Sequence, residues 1–229
     1  MTDIHLTRAT LTRLVLMRYF EAFLALSVMF FLTAGTFAYW EAWLYLAILF
    51  IPMAFVMVYL IKYDPELLER RMRFREKETT QKRIISLSWL WFFLAFLLPG
   101  LDHRFGWSQV PVVVVLVAAL LVLVGYGMVI WVFRENRYAS RVIEVAQEQQ
   151  VIDSGPYRFV RHPMYAGSIV LYVFSPLALG SWWAMIPALP IIPILVMRIL
   201  NEEEILLRDL PGYADYRSKV RYRLIPGVW

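Results

Sequence analysis

Long apolar stretches alternate along the chain with short segments rich in arginine, lysine and acidic residues. The stretch VPVVVVLVAALLVLVGYGMVIWVF at 110–133 contains no charged residue. It exceeds the roughly 20 residues that an α-helix needs to cross a bilayer core. Similar stretches predict about six membrane-spanning helices. These lie at 19–38, 43–61, 84–101, 110–133, 165–179 and 183–200.

The predicted fold is an all-α integral membrane protein. Hydrophobic residues make up 60% of the chain, whereas about half is usual for a soluble domain. We expect an N-terminal part at 1–133 with four spans, and a C-terminal part at 134–229 with two spans and a tail. Gly180 and Ser181 predict a tight hairpin between the last two spans.

Basic residues are concentrated at the N-terminus, at 64–83, at 134–161 and in the tail, and the other connections hold few of them. Because basic loops stay on the cytoplasmic side, we expect both termini there. The net charge of +5 is then explained by these loops, and no nucleic-acid partner is expected. The acidic and basic residues of 64–83 favour an amphipathic helix on anionic headgroups.

Composition narrows the possible chemistry. The chain has no cysteine and three histidines, which excludes disulfides and thiolate catalysis. A histidine-rich metal centre is not expected either. The segment 134–156 contains runs typical of β-strands, RVIEV and VID, and favours a small hairpin followed by a turn at 154–156.

Polar clusters at 136–140, 155–167 and 198–204 fall on the predicted cytoplasmic side. Arg198 and Glu202 are four residues apart and therefore share a helix face, whereas Glu203 points elsewhere. Pro163 suits the first turn of a helix. His162 and Arg161 would then lie at the positive end of that helix, where an anion can bind.

These clusters also have a simpler interpretation. Arginines at a membrane boundary can extend to lipid headgroups, and Arg198 with Glu202 can form an ordinary ion pair. A histidine beside a proline is often a packed or capping residue. Tyr157, Phe159 and Tyr165 are typical of an interfacial aromatic belt, or could form a wall around a planar or cationic ligand.

The string GPYRFVRHPMYAG, followed by a hydrophobic hairpin, RILNEEE and YADYRSKVRYRLIP, resembles the isoprenylcysteine carboxyl methyltransferase family and its phospholipid methyltransferase relatives. The resemblance covers about 136 to the C-terminus. It implies a C-terminal helical hairpin and cytoplasmic segments that together form a pocket for S-adenosylmethionine. A lipid-like methyl acceptor would come from the bilayer. The compact length is similar to that of bacterial members, which implies a bacterial inner membrane.

The resemblance also implies roles for individual residues. The Arg-Glu-Glu element beside the transferring methyl matches Arg198, Glu202 and Glu203, although a run of three glutamates that includes Glu204 permits a shift by one residue. The residues implied to line the cofactor, with the tail closing over it, are Asn136, Tyr157, Arg161, His162, Pro163, Tyr165, Gly167, Glu203, Tyr213 and Tyr216.

The favoured function is therefore a membrane S-adenosylmethionine-dependent methyltransferase whose acceptor is a carboxylate on a lipidic or amphiphilic molecule. A phospholipid amine is an alternative acceptor. A sterol-reductase-like enzyme that uses NADPH is a second alternative, because the C-terminal architecture of that group is similar to that of these methyltransferases. A non-catalytic lipid-binding or transport protein is a third, although most of the spans carry no charge that would form a polar path.

Overall fold

The computed structural model describes residues 7–72, 79–139, 145 and 149–229. These residues form α-helices joined by short connections and one 3₁₀ turn, Gly155–Arg158, and no strand occurs among them. The all-α prediction is thereby confirmed. The helices are α1 Arg8–Ala34, α2 Trp40–Tyr63, α3 Pro65–Arg71, α4 Thr79–Phe105, α5 Val112–Glu135, α6 Pro163–Ala178, α7 Met185–Ala188, α8 Ile191–Asp209 and α9 Tyr213–Lys219.

Four helical segments are long and apolar enough to cross a membrane within the described part of the chain. They are Arg8–Ala34, Trp40–Tyr63, Val112–Glu135 and Met185–Asp209. Helix α6 is apolar but has 16 residues. The protein is thus a membrane protein, but the predicted count of six spans is not confirmed.

Two helices extend beyond the predicted spans. Helix α1 begins at Arg8, well before the predicted start at 19, because the helical hydrogen bonds continue through its arginine-bearing first turns. Helix α8 likewise continues to Asp209, beyond the predicted end at 200. The whole RILNEEE segment is therefore helical, so its side chains hold fixed angular positions around α8.

The core of the bundle holds tightly packed aromatic and small residues from α1, α2, α5 and α6. Phe30 and Tyr45 are fully buried and meet edge-to-face, with ring centroids 6.0 Å apart. Helices α5 and α6 approach closely at Gly125 and Gly167. A Cβ atom on either glycine would lie less than 3 Å from the main-chain oxygen of the other.

At one end of the bundle, α4 is tied to two connections by Asp102, which is 1% exposed. Its carboxylate accepts hydrogen bonds from the main-chain N–H of Ser108 at 2.8 Å and from the hydroxyls of Ser108 and Ser181 at 2.5 Å. Ser181 belongs to the predicted hairpin between α6 and α7, where Gly180 adopts a left-handed conformation with φ of 75°. The hairpin at this position is confirmed.

At the other end, α3 packs against the protein. Asp64 caps α3 by accepting from the N–H of Leu67 at 3.0 Å, and Leu67 and Leu68 are buried in a cluster with Leu11 and Val132. Of the predicted interfacial segment 64–83, α3 is therefore helical, and its leucines face the protein interior. Residues 73–78 lie outside the described residues, as do residues 141–144 of the RVIEV run. Val145 and the VID run at 151–153 are described and form no strand, so the predicted hairpin is not confirmed.

Candidate functional site

The site begins where the chain turns from α5 towards α6. Gly155 has φ of 56°, and a Cβ atom there would lie 2.5 Å from the Cγ atom of Glu135. Glycine is therefore required for this turn. The 3₁₀ turn follows, and Pro163 is the first residue of α6. The predicted turn and the predicted start of a helix at Pro163 are both confirmed.

Arg161 and His162 converge on one carboxylate of α8. The Nε atom of Arg161 lies 2.7 Å from Oε1 of Glu203, and the Nε2 atom of His162 lies 3.1 Å from the same oxygen. All three residues are buried, with exposed fractions of 6%, 4% and 3%. The anion held at the start of α6 in this structure is therefore a side chain of the protein itself.

A third basic side chain completes this cluster. Arg223, in the tail, donates from Nε to Oε2 of Glu203 at 2.9 Å. Both oxygens of Glu203 are thus engaged by charge-assisted hydrogen bonds, which offset the cost of burying the carboxylate. Sequence reasoning missed Arg223, because it is one of several arginines in a basic tail and no local pattern distinguishes it.

Glu202 faces another direction and belongs to a second polar chain. The hydroxyl of Tyr165 donates to Oε2 of Glu202, and the same hydroxyl accepts from Nε of Arg198 at 3.0 Å. The prediction that Arg198 and Glu202 share a face of α8 while Glu203 points elsewhere is confirmed. Glu204 is exposed, so the two glutamates that meet α6 or the tail are Glu202 and Glu203.

Tyrosines from the 3₁₀ turn and α9 pack together beside these polar side chains. The amide of Asn136 donates to the hydroxyl of Tyr157 at 2.8 Å, and the hydroxyl of Tyr216 donates to the main-chain oxygen of Tyr157 at 2.8 Å. Burial raises the pKa of Tyr157 to about 12, and burial also raises the pKa values of Tyr213 and Tyr216. These hydroxyls therefore keep their protons at neutral pH.

The hydroxyl of Tyr213 is buried and has no hydrogen-bond partner among the described residues. Glu203, Arg161 and Glu202 are close enough to influence its pKa electrostatically. A buried hydroxyl without a partner is costly. Tyr213 lies beside the Glu203 cluster and Glu202, where a polar ligand would supply the missing partner.

Two residues predicted to line the cofactor have a clear packing role. Gly167 is buried at the contact with Gly125, and this contact sets the distance between α5 and α6. Pro163 is also buried and starts α6. Among the other predicted residues, Tyr213 packs on Tyr216 with ring centroids 5.8 Å apart. The remaining ones take part in the hydrogen bonds described above.

A helical membrane protein with buried ionic groups at one end of its bundle is the class that the fold and the site define. Residues 113–210 match the family model of phospholipid methyltransferases. Over this segment the chain is similar to that family, and the resemblance inferred from the sequence is confirmed. The match runs from α5 to the end of α8. A comparison with curated proteins finds no match.

Proposed function

We propose that the protein transfers a methyl group from S-adenosylmethionine to a lipidic acceptor, and that the favoured acceptor group is a carboxylate. The observation that carries the proposal is the bridge made by Tyr165 between Arg198 and Glu202. This bridge lies on α6 and α8, within the residues that match the methyltransferase family. The bridge places the Arg198 cation, which would bind an anionic acceptor, next to the Glu202 carboxylate, which would act as a base.

The residues present fit S-adenosylmethionine. The Tyr213 hydroxyl, which none of the described residues hydrogen-bonds, offers a donor for a nucleoside. The aromatic side chains of Tyr157 and Tyr216 offer flat surfaces for it. When bound, the cofactor would supply a methyl group already activated by a positively charged sulfur. The protein then has mainly to orient the two reactants and exclude water. The ion pair of Arg161 with Glu203 would fix the wall against which the cofactor lies.

The acceptor would be oriented by α8. The guanidinium of Arg198 can hold a carboxylate through two parallel hydrogen bonds, and a carboxylate nucleophile needs no base. An amine acceptor is the second candidate, favoured by the family description and by the carboxylate of Glu202. That carboxylate would take the proton from the amine, while Tyr165 holds it in position.

We further propose that the site faces the cytoplasm of a bacterial inner membrane. The basic segments at the start of α1, in α3 and in the tail lie at the site end of the bundle, and positive charge is retained on the cytoplasmic side. In this location the pocket would receive a charged cofactor from water and a lipidic acceptor from the bilayer.

The experiment is incubation of the purified protein in nanodiscs with labelled S-adenosylmethionine and lipid extracts, followed by mass spectrometry. Arg198→Ala and Glu202→Ala should each abolish turnover and leave the protein folded. The matched control is Glu204→Ala, which removes an exposed carboxylate from the same helix and should keep activity. Wild-type turnover in either of the first two variants would remove that residue from the catalytic set.

The same assay distinguishes the two acceptor classes. Glu202→Gln keeps the size of the side chain but cannot accept a proton from an amine. It should therefore slow methylation of an amine more than methylation of a carboxylate. An equal loss with both classes of acceptor would show that Glu202 does not act as a base. Binding of NADPH without binding of S-adenosylmethionine would contradict the proposed function as a whole.

A further inference from the structure

The tail crosses the start of α6 after α9. The main-chain N–H groups of Arg161 and His162 donate to carbonyl oxygens of the segment 220–223 at 2.9 Å each. The guanidinium of Arg161 also donates from Nη1 to two carbonyl oxygens of this segment, at 2.8 and 2.7 Å. The four accepting residues are Tyr222, Arg223, Val220 and Arg221.

Arg223 adds a side-chain contact to this main-chain connection. Its Nε atom donates to Oε2 of Glu203 at 2.9 Å, and its guanidinium carbon lies 4.9 Å from the centre of the Trp229 ring. Glu203 is on α8, so the contact joins the tail to the helix that also carries Arg198. We call this contact between Glu203 and Arg223 the tail latch.

The two arginines of the cluster differ in exposure. The side chain of Arg161 is 4% exposed, whereas that of Arg223 is 22% exposed. Releasing Arg161 would leave a charge buried without a partner, which is strongly unfavourable. Arg223 lies at the boundary with water and can be hydrated when it is released. The tail latch is therefore the part of the cluster that can open.

The tail also carries two tyrosines assigned above to the proposed cofactor site. Helix α9 supplies the Tyr213 hydroxyl, which has no hydrogen-bond partner among the described residues, and the Tyr216 hydroxyl, which donates to the main-chain oxygen of Tyr157. Because α9 leads directly into the segment 220–223, detachment of this segment would loosen both tyrosines. A closed tail latch keeps these groups in place.

We propose that Arg223 is a positioning residue of the cofactor pocket, and that the tail latch sets how tightly the pocket retains its cofactor. This inference rests on the proposed function. Arg223 lies beyond the segment 113–210 that matches the family model. It acts through Glu203 and through the position of α9, and takes no part in methyl transfer itself.

The first measurement is the affinity of the protein in nanodiscs for S-adenosylhomocysteine, by calorimetry. Loss of a charge-assisted hydrogen bond predicts a Kd about tenfold higher in Arg223→Ala. Arg223→Lys keeps the charge but loses the planar fork and should give a value in between. The matched control is Arg221→Ala, which removes an exposed cation but keeps the carbonyl that Arg161 contacts; its affinity should equal that of the wild type.

The second measurement is hydrogen exchange at the amides of Arg161 and His162 without ligand. Both amides donate to the tail, so opening of the tail latch should accelerate their exchange, by about tenfold in Arg223→Ala. Arg221→Ala should leave the exchange unchanged. This readout reports on the tail and does not depend on turnover.

The outcomes separate the latch from the proposed function. Unchanged exchange in Arg223→Ala would overturn the tail latch, whatever the wild type binds. Faster exchange with unchanged affinity would overturn the positioning role. A wild type that binds no S-adenosylhomocysteine, but whose amides respond to Arg223→Ala, would overturn the proposed cofactor and leave a purely structural contact. If Arg223→Ala does not fold, unchanged affinity in Arg223→Lys would refute the proposal.

Discussion

Gly167→Ala tests whether the glycine at the end of the GPYRFVRHPMYAG string serves the packing of α6 on α5. A Cβ atom at this position would lie 2.7 Å from the main-chain oxygen of Gly125 and 2.9 Å from the Cβ atom of Met128. Neither neighbour is the end of a flexible side chain. The contact can therefore be relieved only by movement of a helix.

The distances give the size of the effect. A carbon atom and a carbonyl oxygen in favourable contact are about 3.3–3.6 Å apart, so α5 and α6 would have to separate by about 0.5–1 Å. Overpacking of this kind costs about 1–3 kcal/mol. Gly125→Ala should cost a similar amount, since its Cβ atom would lie 2.6 Å from the oxygen of Gly167. The double variant should cost less than the sum, because one separation relieves both contacts.

Thermal unfolding in detergent, followed by fluorescence of the nine tryptophans, measures the effect. For a chain of this length the expected cost corresponds to a fall in Tm of about 2–12 °C. Gly127→Ala is the matched control, because it lies on α5 and a Cβ atom there would meet nothing within 4 Å. Its Tm should stay the same or rise, since alanine is the better helix former.

A Gly167→Ala variant as stable as Gly127→Ala would refute the packing argument. Loss of S-adenosylhomocysteine binding at unchanged Tm would assign Gly167 to the cofactor wall instead, as the family resemblance implies. A packing role thus predicts a lower Tm for Gly167→Ala than for Gly127→Ala. A role in the cofactor wall predicts an unchanged Tm and a loss of S-adenosylhomocysteine binding.

Two further predictions concern other parts of the fold. Asp102→Ala removes the buried acceptor of Ser108 and Ser181 and should cost about 2–4 kcal/mol of unfolding free energy. Asp102→Asn should lose less. Equal stability of Asp102→Ala and wild type would contradict a stabilising role for these hydrogen bonds. Burial raises the pKa of Tyr157 to about 12, so above about pH 10 this tyrosine ionises in the unfolded chain before it does in the folded protein. The contribution of Tyr157 to the unfolding free energy should therefore be constant below about pH 10 and be lost as the pH rises towards 12. Tyr157→Phe should lose about 1 kcal/mol of unfolding free energy at neutral pH, because Asn136 loses its acceptor. Its loss of stability at alkaline pH should be smaller than that of the wild type. An equal loss in both proteins would argue against ionisation of Tyr157.

Several features of the site could be predicted from local sequence because they depend on near neighbours in the chain. Pro163 starts a helix since it lacks an N–H group, and Gly155 marks a turn since it can adopt a positive φ. The separation of Glu202 from Glu203 follows from the helical period alone. These predictions needed only the geometry of a single element, and the structure confirms them.

Other features depend on distant parts of the chain. Arg223 meets Glu203 across 20 residues, and Arg161 meets the same carboxylate across 42. The sequence indicates Arg161 as a ligand for an external anion, because it lies at the predicted start of a helix, where main-chain N–H groups can bind an anion. The choice between an internal and an external partner is decided by the way in which α6, α8 and the tail converge.

By itself, the sequence determined that this is an all-α membrane protein, that its polar residues collect at one end, and which family its C-terminal part resembles. Length, hydrophobic pattern and local motif are sufficient for these conclusions, because they reflect the solvent around each segment and the geometry of single helices. Only the tertiary structure decided that Glu203 is held by Arg161, His162 and Arg223, and that Gly167 packs on Gly125. It also decided that the Tyr213 hydroxyl lacks a partner within the described part of the chain. The physical reason is that hydrogen bonds and close contacts act over about 3 Å, and only the folded chain brings such distant residues so near.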